Sequence, residues 1–312
     1  MNQSLPEDVA ALLARRAEAR RDRDWPAADA LRDELRQLGW EPVDRPQGST
    51  ARPLPVAGAA AVGYARSEDL ATLLGEPAEV AASLVVTVDD HPADLERLRN
   101  GLRAYAPPVD WELLVVANAP AAQPDPDGAT IIPTSERLGW ADAVNIGLRR
   151  SRGAVIVLLD TSVEPSGTWL GELLSAFDDP TVGIAGPWGV VSGDLRQFEE
   201  APPGEVDAVE AYCLAVRREA LRAVGGFDHR YRFYRNADLD LSFAVRAGGW
   251  RAVRTAPLAL ERHVHRGYTA LPEVERDRLS RRNFYRFLKR WGDRPDLLLR
   301  PGPKGGMAGR DI

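Results

Sequence analysis

A chain of 312 residues is longer than one core usually organises, so one large α/β domain with a smaller appendage is the expectation. Its 40 basic and 46 acidic residues leave a net charge of −6, which argues against a protein that coats nucleic acid non-specifically, and the single cysteine, Cys213, excludes an internal disulfide or a CxxC metal knuckle. The N-terminus carries no basic then apolar leader, and no stretch nears the roughly 20 apolar residues of a spanning helix, so a cytoplasmic protein is expected.

Ser4 and Glu7 have capping-box spacing, and Val9, Leu12 and Leu13 fall on one face of a first helix running toward Asp22. A second helix starts near Asp24 with Pro26 in its first turn, carries Ala28, Leu31, Leu35 and Leu38 on a stripe, and stops at Gly39. The run from Arg23 to Arg45, RDWPAADALRDELRQLGWEPVDR, followed by Pro46-Gln47-Gly48, resembles the C-terminal end of cysteinyl-tRNA synthetases. The resemblance implies a tRNA contact for residues 1–48; the competing reading is a fused hairpin used for packing or dimerisation. Arg15, Arg16, Arg20, Arg21 and Arg23 suit phosphates, although acids interleave with them as on an ordinary solvated face. The synthetase's nucleotide-binding signatures and zinc cysteines are missing, which excludes aminoacylation. Residues 49–82, rich in Pro, Ala and Gly, read as a linker.

Residues 83–270 change character. Short β-rich apolar runs, Leu84–Val88, Leu113–Val116, Thr130–Ile132 and Val155–Leu159, alternate with helical periods, which predicts a largely parallel sheet covered by helices on both faces. Ligands of such sheets sit beyond the strand carboxyl ends, where three segments stand out. Asp160 follows the Val155–Leu159 strand. Asp238 and Asp240 open a helix after a Gly-Gly turn, placed either for chemistry or merely to favour the helix dipole. His263 and His265, at i and i+2 on an expected strand, point the same way and suit a metal or a phosphate.

In this order the segments resemble inverting family-2 glycosyltransferases of the GT-A fold, over residues 84 to about 268. The run around Gly139, Asn145, Gly147, Gly153 and Asp160 carries the likeness, as does the run from Arg217 through Gly225, Gly226, Phe227, Asp228, Asp238, Asp240, Leu241, Arg246 and Gly249. The resemblance implies a mixed, mostly parallel Rossmann-like sheet and transfer of a sugar, hexosyltransferase-like, from a nucleotide-sugar donor to an acceptor hydroxyl with inversion. It makes Asp238 the general base with Asp240 beside it, Asp160 the first acid of a DxD-type motif for Mn or Mg, and His263 or His265 the late metal or phosphate ligand. Gly139, Asn145, Asn118, Asp89, Asp90 and Arg266 fall on the donor side.

Two positions depart from the pattern. Ser162 replaces the second DxD acid, leaving Glu164, or His263, His265 and Arg266, to hold the diphosphate or its metal; Ala117 and Asn118 stand where an acid usually holds the nucleotide base. They motivate the alternative of a degenerate GT-A domain that binds a sugar nucleotide, glycan or tRNA without turnover. Trp140 and Trp188 are read either as sugar-stacking or as core residues, and Cys213 as a buried packing residue. In residues 271–312, a helix from Glu275 to Trp291 groups Phe284, Phe287, Leu288 and Trp291 on one face among arginines. It docks on the catalytic domain, or else lies on the inner face of a membrane, where a lipid-linked acceptor would sit beside the glycan and small-molecule alternatives.

Overall fold

The computed structural model describes residues 6–22, 24–38, 40–45, 48–53, 63–89, 91–106, 108–118, 124, 126 and 128–301. The chain divides into two compact units, residues 1–62 and 63–312.

In the first unit α1 (Glu7–Arg21) and α2 (Trp25–Gln37) form the expected helical hairpin. Asp24 opens α2 by accepting the Ala27 N–H at 3.1 Å. Val9, Leu13 and Leu35 bury their side chains together between the helices. α1 begins behind Pro6; Ser4 and Gly39, expected to cap and stop the helices, lie outside the described residues. Strands β1 (Trp40–Arg45) and β2 (Gly48–Pro53) pair antiparallel, with Trp40 opposite Pro53. The linker expected at 49–82 is thereby shortened at both ends: β2 lies in the first unit, and from Gly63 the chain is part of the second.

The second unit runs in order through β3 (Val80–Val88), α3 (Pro92–Ala104), β4 (Trp111–Ala117), β5 (Thr130–Pro133), α4 (Trp140–Arg150), β6 (Gly153–Leu159), β7 (Val163–Pro165), α5 (Leu170–Ser175) and β8 (Val182–Gly186). It continues with the short β9 (Gly189–Val191), β10 (Glu199–Glu200), β11 (Gly204–Val206) and β12 (Ala208–Val209), then β13 (Cys213–Arg217), α6 (Arg218–Val224), α7 (Ala237–Ala247), β14 (Arg251–Arg254), β15 (Leu260–Arg262), α8 (Arg266–Thr269) and α9 (Glu273–Trp291). Eight strands form one sheet in the order β11-β14-β8-β13-β6-β3-β4-β5. β5, β4, β3 and β6 run parallel, and β13 is antiparallel to both β6 and β8. This is the mixed, mostly parallel sheet expected.

The apolar runs are continuous because both faces of the sheet are covered. Val85, Leu114, Val116, Ile156 and Leu158 face a core shared with α4, α6 and α7, whereas their neighbours Leu84, Val86, Val115, Val157 and Leu159 face one shared with α3 and α5. Cys213 is fully buried in the second of these, and burial pushes its thiol up. The segment ahead of β3 is pinned to the sheet by Arg218, 4% exposed, which donates to the carbonyls of Leu73, Glu76, Ser151 and Gly153. α9 docks as the plain reading of its pattern predicts: Phe287 and Trp291 lie 5.1 and 6.0 Å from the Phe243 ring of α7. Among the described residues no helix is long and apolar enough to cross a membrane.

Asn145, expected on the donor side, has a different task. From α4 it reaches the turn after α6, where its Oδ1 accepts the Phe227 N–H at 2.9 Å and its Nδ2 donates to the Phe227 carbonyl at 2.7 Å. Gly225 and Gly226 turn there with φ of 84° and 93°, and a Cβ on Gly226 would meet Asn145 Oδ1 at 2.7 Å. Both side-chain ends of Asn145 are used within the fold, so it fixes the segment leading to α7. Asn145→Ala leaves the Phe227 backbone groups unpaired in a buried place and is expected to lower the unfolding free energy by about 1–3 kcal/mol in urea titrations. Unchanged stability would contradict this role.

Candidate active site

Parallel pairing places the ends of β3, β4 and β6 along one edge of the sheet, so Asp89, Asn118 and Asp160 all line a cavity of about 370 Å³ there. Asn118 stands on it through a clamp: Oδ1 accepts the Leu138 N–H at 2.9 Å and Nδ2 donates to the Leu138 carbonyl at 3.3 Å. That clamp fixes the approach to α4. The first amides of α4 are already used, since Trp140 and Ala141 donate to the carbonyls of Arg232 and Tyr231. Gly139 permits the crossing, because a Cβ would sit 2.9 Å from Arg232 Cγ. Gly139 is thus fixed by packing, and it lines neither this cavity nor the neighbouring one of about 440 Å³. Asp90 lies outside the described residues.

Asp160 is held from both sides. Its Oδ1 accepts the Ser162 hydroxyl at 2.5 Å and the Ser162 N–H at 2.8 Å, while Oδ2 lies 3.3 Å from His265 Nε2. Burial raises the Asp160 carboxyl, but His265 and Ser162 outweigh it and hold it below the usual aspartate value. Burial likewise lowers His265, and the bond to Asp160 reverses the sign. His265 Nδ1 accepts the Tyr268 N–H at 3.1 Å, capping α8, so Nε2 is aimed at Asp160. Tyr234 stacks on the imidazole at 4.6 Å.

A second cavity, about 440 Å³, shares Trp140, Asp160, Ala211, Tyr234 and His265 with the first. Asp238 lines only this second one. Its carboxylate accepts the Ala211 and Leu239 N–H groups at 3.2 and 3.0 Å. Burial nevertheless pushes it above the ordinary value, making it the better proton acceptor. Asp160 and His265 therefore sit in the wall between two compartments, with an acid of raised pKa in one of them.

The glycosyl transferase family 2 model matches residues 84–259. The chain belongs to glycosyl transferase family 2. A pre-mycofactocin glycosyltransferase of Mycobacterium tuberculosis is 30% identical over 234 residues, 67% of this chain and 47% of the relative, so the chain spans about half of that protein. The solved structure of GalNAc-T7 with UDP, GalNAc and Mn2+ superposes with a TM-score of 0.55 at 12% identity, over 69% of this chain and 48% of that one, a likeness of fold. The cysteinyl-tRNA ligase anticodon binding domain model matches residues 2–40, and the cysteine–tRNA ligase of Maricaulis maris is 54% identical over 43 residues, 14% of this chain and 9% of that enzyme.

Within this family-2 domain the structure separates several residues that looked equivalent. The two histidines part because β15 ends at Arg262: His263 Nε2 lies 2.7 Å from Glu164 Oε2, outside both cavities, and only His265 joins Asp160. Arg266 lies 3.5 Å from Asp94 and lines neither cavity. Asp240 is turned away from Asp238 and buried: Oδ1 accepts Trp291 Nε1–H at 2.8 Å and Oδ2 accepts Arg290 at 2.7 Å. It anchors α9. Trp140 lines both cavities, whereas Trp188 packs on Tyr212 and under Arg262.

Sequence reasoning missed Glu210 as a site residue. It precedes β13 and lines the second cavity, and burial first, then the charge of Asp238, raise its pKa. Its only signal was an acid directly before the apolar run AYCLAV. Arg196, Arg235 and Arg281 line the same cavity and were missed for the same want of pattern. Asp240→Ala strands the buried Trp291 N–H and is expected to cost about 1–3 kcal/mol of stability. Wild-type thermal stability in that variant would contradict the anchoring role.

Proposed function

We propose that this chain is a nucleotide-sugar-dependent glycosyltransferase that inverts the anomeric centre, with the donor in the 370 Å³ cavity and the acceptor in the 440 Å³ one. The observation that supports this best is the shared wall: Asp160 and His265 border both compartments, and Asp238 faces only the acceptor side. In the reaction the acceptor oxygen forms a bond to the sugar's anomeric carbon as the bond to the diphosphate breaks. The acceptor proton passes to Asp238 and the nucleoside diphosphate leaves with the electron pair.

Asp160 offers a carboxylate oxygen that fits Mn or Mg completed by substrate phosphate oxygens and water; His265 would add an imidazole nitrogen only on giving up the Tyr268 N–H or the bond to Asp160. Among the described residues no cluster of three or more His, Cys, Asp or Glu adds further ligands. When bound, the ion would neutralise charge on the leaving diphosphate. The similarity of residues 2–40 to an anticodon binding domain supports a tRNA contact by the N-terminal module. Filter binding of tRNA by the full chain and by a chain lacking residues 1–62 tests it.

A panel of UDP-, GDP- and dTDP-sugars, with and without manganese, is expected to identify a donor whose nucleoside diphosphate is released. Chelation is expected to slow that release and manganese to restore it. A thermal shift with some donor but no release from any would favour a binding module. Asp238→Asn is expected to lower transfer by about 10²- to 10⁴-fold with little change in donor KM. The ionised carboxylate burdens the fold above its raised pKa, so the same variant is expected to keep its melting temperature. Activity is lost as pH falls through that pKa, because protonated Asp238 accepts nothing; the acid limb of kcat/KM is expected above the ordinary aspartate value of 3.8. A limb at or below that value would contradict Asp238 as base.

A further inference from the structure

We propose that the acceptor carries an anionic group, phosphate or carboxylate, beside an apolar body, and that Arg196 and Arg281, which line the 440 Å³ cavity but not the donor cavity, hold that group. The proposal rests on the reading above, in which this cavity is the acceptor's side.

Arg196, Arg235 and Arg281 line the second cavity and none of them lines the first. Several other arginines of this unit are matched: Arg97, Arg246, Arg251, Arg254 and Arg290 each have a carboxylate within ion-pair distance. Among the described residues no carboxylate stands at that distance from the guanidinium of Arg196, Arg235 or Arg281. Arg235 is drawn to Asp238 and Glu210, and its charge offsets those two acids. Arg196 exerts only a minor pull on Asp194, and neither it nor Arg281 has a carboxylate at ion-pair distance among the described residues, in a protein whose net charge is −6. Planar guanidinium groups match the paired oxygens of phosphate and carboxylate.

An apolar platform adjoins them. Phe198 and Phe284 line the cavity with Val190 and Leu239, and neither ring is loose: Phe198 packs on Phe243 and Phe287 at 6.3 and 5.8 Å, and Phe284 stacks on Phe287 at 6.3 Å. The backbone beside the arginines is also constrained. Among the described residues the only non-glycine residues with left-handed backbone are Leu195, φ 64°, directly before Arg196, and Asn236, φ 66°, directly after Arg235. For a leucine that conformation is costly and persists only where the surroundings impose it. Here the surroundings are specific: Leu195 is buried with its N–H on Ser192 Oγ at 2.9 Å, and Asp194 Oδ1 accepts the N–H groups of Arg196 and Gln197 at 2.8 and 2.9 Å. The loop spends backbone strain to present Arg196 over the cavity.

Calorimetric titration of the full chain with submicellar octyl phosphate, phenyl phosphate and neutral octyl glucoside tests the idea without needing turnover. The two phosphates are expected to bind and octyl glucoside to bind at least about tenfold more weakly; Arg196→Gln and Arg281→Gln are each expected to weaken phosphate binding about tenfold, against about twofold or less for the charge-matched Arg282→Gln outside the cavity. Tighter binding of octyl phosphate points to a lipid-linked acceptor and of phenyl phosphate to a small soluble one, each in accord with the anion site. Equal binding of octyl glucoside, or phosphate binding by Arg196→Gln and Arg281→Gln as in wild type, would overturn it. Nucleoside diphosphate release from the donor panel is scored separately. No release with intact arginine-dependent binding would sink the transfer reading alone, and release with arginine-independent binding would sink the anion site alone.

Discussion

Parallel pairing of β3 with both β4 and β6 is the constraint on which the rest depends. It brings three strand ends to one edge, so Asp89, Asn118 and Asp160, which are 29 and 42 residues apart in sequence, border one cavity. Burial on both faces fixes the register, because a slip by one residue would exchange the two cores that Leu84 and Val85 serve on opposite sides. Chemistry at this edge is therefore placed by apolar residues that touch no substrate.

The second constraint is the path from α6 to α7. Asn145 clamps the Gly-Gly-Phe turn, the carbonyls of Tyr231 and Arg232 cap α4, and the chain then delivers Tyr234 against His265 and Asp238 into the second cavity. α9 closes the arrangement from outside through Asp240, Trp291 and Phe287. Several polar residues of the sequence motif, Asn145 and Asp240 among them, thus build the arrangement rather than face the cavities.

What was legible in the sequence follows from periodicity. The strands were readable because runs such as Leu113–Val116 and Val155–Leu159 are apolar on both faces, and α9 because Phe287 and Trp291 recur at helical spacing. Asp160 was readable from its place after a strand. Asp238 and Asp240 were not separable as acids in one first turn, yet two residues along a helix rotate by about 200°, so only one could face the cavity. The paired histidines failed for a related reason: alternation holds only while the strand lasts, and β15 ends before them. The hairpin of β1 and β2 was hidden by proline-rich composition. Glu210, Arg196 and Arg281 carry no local pattern, since only the tertiary fold brings β9–β10, β13 and α9 around one space.

The central proposal is that the acceptor oxygen, entering from the compartment that holds Asp238, attacks the donor's anomeric carbon on the side opposite the departing diphosphate, with Asp160 and His265 at the border of the two compartments. Proton NMR of the freshly formed product, compared with the donor, measures this most directly through the anomeric coupling. The two-compartment arrangement predicts the opposite anomeric configuration in the product. Retention of the donor's configuration would contradict it.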